Sequence, residues 1–384
     1  MFPIIKNIDD VLPHIANKPE FIVAERDGYK VINYTVAFED SFEGDPVLRE
    51  CRGIVFDING DILSRRLHKF FNVNEKEETK FENLPWDKPY VIMDKLDGSM
   101  ITALLFHGEW SYDIRWGTKM GLTDVAQPVE EYVYHNHKSD YAALAQFCHQ
   151  RMNSTAIFEW CSNKQRIVID HSEDTLVLLH VRNNVTGDYV DRKIIEFLGR
   201  EFHVPIVKTW NSLEYRPEEL LEIVKNLEGE EGVVVQFMNG DMVKIKSDWY
   251  IRIHRAKDKI ATDRRLLECI LNNELDDLLP CLAEADRERI TNFEKNFKVA
   301  LEILTDDIDI QLRLIQYNNV SRKDFALTQA SNLRPIVKTT LFKFFDDRSR
   351  YRRLNVIEEF IIQQVRNHMS SEAKFDIIRK QMGF

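Results

Sequence analysis

Short apolar runs of strand length, separated by turn residues, fill residues 1–255 of the chain. Runs of about four to eight residues rich in Val, Ile and Phe, bounded by Gly, Asn or Asp, are typical of strands. The strands predicted in this way are residues 53–58, 90–93, 156–160, 176–181, 232–237 and 242–245. Asn239-Gly240 between the last two runs predicts a hairpin turn. Helical patterns at 140–152 and 217–227 indicate that this part of the chain combines sheet with helix.

The pattern changes after residue 255. Residues 256–384 hold a single glycine and two prolines, and apolar residues recur at three- and four-residue spacing, beginning with Leu266, Leu267 and Ile270. That spacing is typical of amphipathic helices, which we expect to form a bundle. We therefore predict an α+β chain with a mixed antiparallel-sheet domain at 1–255 and an all-helical domain at 256–384.

Composition adds little to this picture. The chain has 384 residues, 44% hydrophobic and 30% charged, which suits two globular domains. Residues 1–15 lack the pattern of a signal peptide, and no apolar run approaches the ~18 residues of a membrane span. The five cysteines form no CxxC pair, so we expect reduced thiols and a cytoplasmic location.

The net charge of −11 gives no indication of a nucleic-acid partner. Basic residues nevertheless outnumber acidic ones in residues 321–384. Contacts with phosphates need local cations rather than a basic whole, so RNA binding is permitted but not indicated. The basic and aromatic segment 342–353 could bind RNA, or could equally be a helix with one buried face and one charged face.

The tetrapeptide Lys95-Leu96-Asp97-Gly98 follows directly after the predicted strand 90–93. Lys-x-Asp-Gly is a weak signal by itself, because residue usage alone gives about 0.1 matches in a chain of this length. Taken alone, a turn with a solvated lysine is the simpler explanation. Whether the tetrapeptide indicates a catalytic site therefore depends on the other charged residues of the chain.

Further charged residues lie inside or beside the apolar strands, in a fixed order along the chain. They are Arg52 and Lys69 upstream, then Glu159 within 156–160, Glu231 before 232–237, and Lys244 and Lys246 on the last strand. Strand alternation points Lys244 and Lys246 to one face. Each of these charged residues also has a simpler structural explanation, such as a salt bridge or a solvent-exposed strand face. Charges within apolar strands are nevertheless costly unless they are paired or in use. Together they predict a pocket with one nucleophilic lysine, two phosphate-binding lysines and two metal-orienting carboxylates.

Nucleotidyl transfer requires this set of groups. A lysine attacks phosphorus only as the free amine, and desolvation together with nearby cations such as Lys244, Lys246 and a bound Mg²⁺ disfavours its protonated form. The attacked α-phosphate develops charge that cations must already be placed to accept. Mg²⁺ needs only one or two carboxylates besides water and phosphate oxygens.

The ordered set from Lys95 to Lys246 resembles the covalent nucleotidyltransferase superfamily of ATP-dependent ligases and capping enzymes. Finer matches, over about residues 30–280, are similar to the bacteriophage RNA ligase 1 family. They are Glu50-Cys51-Arg52-Gly53, Lys69-Phe70-Phe71-Asn72, Gln165-Arg166-Ile167-Val168 and residues 244–250. The resemblance implies three steps. ATP adenylates Lys95, the AMP moves to an RNA 5′-phosphate, and a 3′-hydroxyl displaces AMP to join the strands.

The resemblance also implies a role for each residue of the set. Lys95 is the nucleophile, Gly98 lets the backbone approach the nucleotide, and Glu159 holds the ribose. Glu231 orients metal-bound water, while Lys244 and Lys246 bind the α-phosphate. Residues implied to contact ATP elsewhere are Arg52, Lys69 and Lys119 at the outer phosphates and Tyr34, for which a packed aromatic ring is the alternative.

Asp276-Asp277 matches an acidic pair that the family links to a metal, although an exposed helical pair explains it as well. The implied metal is Mg²⁺, with Mn²⁺ as an alternative. The implied partner is RNA, as broken tRNA or single-stranded ends, with an upstream kinase or phosphatase that heals the ends and with host cytoplasm as the location if the chain is phage-encoded. The helical domain is implied to select the RNA. An adenine-stacking aromatic residue is expected near 176–182, and none stands there.

Two rival functions use the same residues. A DNA ligase or a GTP-using capping enzyme usually continues from the Lys-x-Lys strand into a β-barrel, whereas this chain becomes helical and poor in glycine. A non-catalytic RNA-binding protein could retain a decayed ligase fold, but the full set of catalytic positions is evidence against decay. We therefore expect an RNA ligase.

Overall fold

The computed structural model describes residues 2–107, 112–135, 140–165, 167–347 and 353–384. Arg166 and residues 348–352 of the basic and aromatic segment lie outside the described residues. The chain divides into two compact units, Met1–Arg252 and Ile253–Phe384.

The first unit contains all the strands that the structure describes. They are β1 (Phe21–Arg26), β2 (Tyr29–Tyr34), β3 (Arg52–Asp57), β4 (Ile62–Ser64), β5 (Phe71–Asn72), β6 (Tyr90–Asp94), β7 (Ser99–His107), β8 (Tyr112–Gly117), β9 (Ser154–Cys161), β10 (Thr175–Asn183), β11 (Thr209–Trp210), β12 (Gly232–Phe237) and β13 (Met242–Lys246). Its helices are α1 (Leu12–Ile15), α2 (Pro46–Glu50), α3 (Gln127–His135), α4 (Tyr141–Met152), α5 (Arg192–Glu201) and α6 (Pro217–Lys225), with 3-10 turns at Ile8–Asp10, Glu77–Thr79 and Phe81–Asn83. Helix α7 (Asp248–Lys259) follows β13.

The strands form three sheets. The first sheet has the order β1-β2-β3-β4, the second β10-β9-β7-β8, and the third β11-β6-β12-β13-β5. All pairs are antiparallel except β13 with β5. The predicted hairpin forms between β12 and β13, where Gly240 has a φ of +87° that favours glycine.

The second sheet separates an apolar core from the side where the charged residues gather. Ala156, Phe158 and Trp160 on β9 belong to a core cluster that also includes residues of α4 and α5. Ile157 points to the other side, as the two-residue period of a strand requires. The register of β10 shifts between Leu178 and His180, so a β-bulge interrupts its alternation.

The second unit is helical throughout its described residues. Its helices are α8 (Asp263–Leu271), α9 (Leu275–Leu278), α10 (Glu284–Tyr317), α11 (Arg322–Thr328), α12 (Pro335–Phe344), α13 (Arg353–Asn367) and α14 (Glu372–Met382), with 3-10 turns at Leu279–Cys281 and Ala330–Asn332. Buried residues of α10 recur at three- and four-residue spacing, beginning with Ile290, Phe293 and Phe297. The side chains of Thr262, Ser321 and Ser371 cap α8, α11 and α14 by accepting backbone N–H groups.

The predicted α+β class, with sheets followed by helices, is confirmed. None of the helices in the described part of the chain combines the length and the hydropathy that crossing a membrane requires.

Candidate active site

The loop that carries Lys95 connects β6 to β7 and is fixed on two sides by backbone contacts. The N–H of Lys95 donates to the carbonyl of Gly232 on β12 at 2.8 Å. A Cβ atom at Gly98 would lie 2.3 Å from the carbonyl oxygen of Trp160 on β9, which is far inside van der Waals contact. Only glycine therefore allows the loop to approach β9 this closely, and the loop joins the second and third sheets.

A cavity of about 460 Å³ opens beside this loop, a size that suits a small-molecule ligand. Eight of the residues singled out by sequence contribute to it or to its charge. The cavity lining includes Arg52, Lys95, Gly98, Lys119, Glu159, Lys244 and Lys246, and Glu231 binds two of these lysines. Strands β6, β9 and β13 therefore bring together residues that lie far apart in sequence.

Glu231 lies between the nucleophile candidate and a phosphate-binding candidate. Its Oε2 is 2.8 Å from the Nζ of Lys95, and its Oε1 is 2.9 Å from the Nζ of Lys246. The carboxylate is only 3% exposed, whereas Lys95 is 21% exposed. Low exposure strengthens both ion pairs, because little water screens them. Glu231 therefore fixes the separation of the two amines.

Lys244 lies two residues before Lys246 on β13, and both side chains reach the cavity, as alternation predicts. Burial lowers the pKa of Lys244 to about 7, with further contributions from the charges of Arg52 and Lys95. Its ammonium faces the ring of Phe70 at 4.8 Å. Its charge therefore changes near neutral pH.

Glu159 extends from β9 towards the same cavity. Burial raises the pKa of its carboxyl group to about 7; the charge of Lys95 opposes this shift, and that of Glu231 adds to it. Met100, on β7, is its Cα partner in the sheet. Glu159 is thus a carboxyl group poised between its neutral and charged forms.

Tyr34, Lys69 and Lys119 form a second group of side chains. The Nζ of Lys69 lies 5.2 Å from the ring centre of Tyr34 and 5.4 Å from that of Phe42, and Lys119 faces Tyr34 at 5.6 Å. Burial acts to raise the pKa of Tyr34, but Lys69, Arg52 and Lys119 outweigh it, and the pKa is lowered. Lys119 and Arg52 line the cavity, and Tyr34 and Lys69 adjoin them without being part of the lining.

Comparison with known proteins shows which family the chain belongs to. Residues 50–250, just over half of the chain, match the family model described as RNA ligase. The chain belongs to the RNA ligase family. It is 31% identical over 283 residues to a candidate RNA ligase of Thermovibrio ammonificans, covering 71% of this chain and 70% of that protein. It is 26% identical over 290 residues to RNA ligase 1 of bacteriophage TS2126, covering 72% and 69%.

The name of a viral relative includes a second activity besides RNA ligation. This RNA ligase is 30% identical over 277 residues to a candidate bifunctional polynucleotide kinase/RNA ligase of Autographa californica nuclear polyhedrosis virus. The match covers 65% of this chain and 38% of the viral protein. The expected resemblance to the bacteriophage RNA ligase 1 family is confirmed, and the protein is an RNA ligase of the covalent nucleotidyltransferase type.

Two carboxyl groups of this RNA ligase, those of Glu159 and Glu231, lie close enough in the first unit to affect each other's charge. Glu231 and Glu159 interact electrostatically beside Lys95, and oxygen donors of this kind are what Mg²⁺ and Mn²⁺ prefer. Asp276 and Asp277 are exposed on α9 of the second unit. The described residues contain no cluster of three or more His, Cys, Asp or Glu side chains suited to a metal. A metal role for the aspartate pair stays a prediction.

Sequence reasoning missed the apolar part of the RNA ligase cavity. Leu67, Phe70, Met100, Leu179, Val234 and Met242 form one contiguous cluster there. The bulge in β10 places Leu179 and His180, consecutive in sequence, in the cavity lining. Burial lowers the pKa of His180 to about 3, so its imidazole is neutral at pH 7. A bulge leaves no mark in the hydrophobic pattern, so no sequence signal could have identified this surface.

Proposed function

We propose that this RNA ligase uses ATP to join an RNA 5′-phosphate to a 3′-hydroxyl through a covalent AMP on Lys95. The observation that supports this most is the position of Lys95, an amine at a cavity lined by four further cations. Those cations are Arg52, Lys119, Lys244 and Lys246. A terminal nitrogen of Arg52 is buried and has no hydrogen-bond partner among the described residues, so an incoming phosphate oxygen would satisfy it.

In the first step, the Nζ of Lys95 forms a bond to the α-phosphorus of ATP, and the bond to the pyrophosphate oxygen breaks. The attacking amine must first lose a proton. The Oε2 of Glu231 at 2.8 Å can accept it. Lys244 and Lys246 would stabilise the charge that develops on the α-phosphate, while Arg52, Lys69 and Lys119 would bind the departing pyrophosphate. Tyr34 would contact ATP beside these last two lysines.

In the second step, an oxygen of the RNA 5′-phosphate attacks the same phosphorus and the P–N bond to Lys95 breaks. In the third step, a 3′-hydroxyl attacks the RNA phosphate and AMP leaves. The second and third steps also redistribute negative charge among phosphate oxygens, so the cations of the cavity would act in all three steps. Gly98 would leave room for the nucleotide, and Glu159 would hold its ribose. The base would lie against the apolar cluster of the cavity.

A divalent cation, Mg²⁺ or Mn²⁺, would be held by Glu231 with Glu159 nearby and would supply positive charge at the α-phosphate. The second unit would select the RNA. The proposed substrates are broken tRNA or single-stranded ends. A ligase of this chemistry needs a 5′-phosphate and a 3′-hydroxyl at the ends it joins. Ends of other chemistry would need a kinase or phosphatase first, and the viral relative named for both activities supports that pairing.

Covalent labelling tests the proposal directly. The protein is incubated with Mg²⁺ and ATP or GTP labelled at the α-phosphate, and the labelled peptide is mapped by mass spectrometry. We expect one AMP adduct on Lys95, its loss in Lys95→Ala, and its retention in Lys88→Ala, a matched exposed lysine before β6. Label on another residue, or transfer from GTP and not ATP, would contradict the proposal.

A further inference from the structure

Arg66 is a buried arginine whose hydrogen bonds go to neutral oxygens. The residue is only 2% exposed. Its Nε donates to the hydroxyl of Thr102 at 2.9 Å, and its Nη1 donates to the carbonyl of Gly53 at 2.5 Å. Its Nη2 is buried and has no hydrogen-bond partner among the described residues. Burial lowers the pKa of Arg66 to about 9, and the other charges that act on this pKa are those of Tyr29 and Arg52, neither of which is a carboxylate. The guanidinium is therefore a buried positive charge at pH 7.

The preceding residue, Arg65, shows how this chain pairs a buried guanidinium. The Nε of Arg65 donates to the carboxylate of Glu50 at 3.0 Å, and its two other nitrogens donate to the carbonyls of Pro3 and Val185, each at 2.8 Å. Burying a cation without a charged partner costs stability. Departures of this kind from good polar pairing are typical of functional sites, where a ligand of opposite charge completes the pairing.

Arg66 adjoins two cations at one end of the cavity. Gly53, whose carbonyl it binds, follows Arg52 directly in sequence. A Cβ atom on Gly53 would lie 2.5 Å from the Nη1 of Arg66 and 2.6 Å from the carbonyl oxygen of Lys119. The guanidinium and the backbone of Lys119 therefore flank the same glycine. Because Arg52 and Lys119 line the cavity, the charge of Arg66 adds to theirs at this end of it.

We propose that Arg66 is a positioning residue for the outer phosphates of ATP, which holds the backbone beside Arg52 and adds a buried positive charge that attracts the pyrophosphate group. This inference rests on the proposed function. The outer phosphates are present only when Lys95 takes AMP from ATP, or returns it to pyrophosphate in the reverse reaction. The charge of Arg66 therefore acts on that step and its reverse, and not on the sealing of RNA that already carries 5′ AMP.

Two substitutions separate the charge of Arg66 from its hydrogen bonds. Arg66→Lys keeps a cation, whereas Arg66→Gln removes the charge and keeps an amide that can donate to the carbonyl of Gly53. Arg115→Gln is a matched control for the loss of one positive charge, because Arg115 lies on β8, is 44% exposed and pairs with Glu130 at 2.8 Å. Urea denaturation of each variant measures whether it is folded.

Three reactions are then measured for each folded variant. They are adenylation of the protein at varied ATP concentration, release of AMP from the adenylated protein by inorganic pyrophosphate, and single-turnover sealing of chemically pre-adenylated RNA. We expect Arg66→Gln to raise the KM for ATP, and the pyrophosphate concentration for half-maximal release, about tenfold or more, because one unit charge is lost from buried surroundings. Sealing should stay within about twofold of wild type, since pre-adenylated RNA brings no pyrophosphate. Arg66→Lys should retain most of the response to pyrophosphate, and Arg115→Gln all of it.

Several outcomes would overturn the inference. They are an unchanged response of Arg66→Gln to pyrophosphate, equal losses in Arg66→Gln and Arg66→Lys, and slowing of sealing by the same factor as adenylation. If Arg66→Gln unfolds while Arg66→Lys remains folded, the charge stabilises the fold rather than the pyrophosphate, and the inference also fails. A wild-type protein that forms no adduct with ATP would instead reject the proposed function.

Discussion

Replacing Glu50 with glutamine would remove the carboxylate that two buried guanidinium groups share. Arg182 binds its two oxygens at 2.8 and 2.9 Å, and the Nε of Arg65 binds it at 3.0 Å. Both arginines are fully buried. Burial acts to raise the pKa of Glu50, but the charges of Arg182 and Arg65 outweigh it and lower the pKa to about 2.

The expected loss of stability follows from that shift. The pKa of the Glu50 carboxyl group falls from an ordinary 4.5 to about 2, and each pKa unit corresponds to about 1.4 kcal/mol, so the charged form contributes about 3–4 kcal/mol. Removing one partner of a buried ion pair typically costs about 3–5 kcal/mol, because the remaining charge is left buried without a partner. We therefore expect Glu50→Gln to lower the free energy of unfolding by about 3 kcal/mol or more.

Urea denaturation at pH 7 measures this difference, and the exposed pair of Arg49 with Glu78 supplies the control. That pair is short, at 2.6 Å, but Glu78 is 49% exposed. Glu78→Gln should cost less than about 1 kcal/mol. In the wild type, the contribution of Glu50 is complete above pH 4.5 and is lost as the pH falls towards 2, so the gap between wild type and Glu50→Gln should narrow in acid. If the two variants lose equal stability at pH 7, the account of the buried network is wrong.

Other substitutions test the cavity. Gly98→Ala should slow adenylation roughly 100-fold, because its Cβ would displace the Lys95 loop from Trp160, and an unchanged rate would refute this. Glu159→Gln should have the same free energy of unfolding as wild type at pH 4.5 and a larger one, by up to about 3 kcal/mol, at pH 8. The reason is that the wild-type carboxyl group has a pKa of about 7 in the folded protein and 4.5 in the unfolded chain. A difference in the free energy of unfolding that does not widen with pH would refute this. Lys246→Ala should slow sealing of pre-adenylated RNA while urea denaturation shows a folded protein, and an unchanged rate would remove Lys246 from the chemistry.

Much of the first unit could be predicted from local pattern. The runs at 156–160 and 232–237 became β9 and β12 because apolar alternation and turn residues act over a few positions. The two-residue strands β5 and β11 are too short to leave such a pattern. The residues of the candidate site could be predicted from the order of the motifs, although they come from three different sheets, with Arg52 on β3, Glu159 on β9 and Lys244 on β13.

The contacts that complete the site could not be predicted in this way. The hydrogen bond between Tyr250 and Asp97 joins residues 153 positions apart, and the pair of Arg182 with Glu50 spans 132. One sequence contains no signal for such partners, because each residue has many neighbours it could meet. The ion pairs of Glu231 with Lys95 and Lys246 likewise depend on how β6, β12 and β13 align, which hydrophobic pattern alone does not determine.

The bulge in β10 adds one side chain to the wall of the cavity without disturbing the core. Before it, Leu176 and Leu178 face the core, and after it, Val181 does. Deleting Leu179 would restore strict alternation and leave every later residue on its present face, because His180 would still pair with Ile157 and Val181 with Ala156. A homologue with a gap at this position should therefore keep its core and the ion pair of Arg182 with Glu50, while the wall of its cavity would lack one apolar side chain.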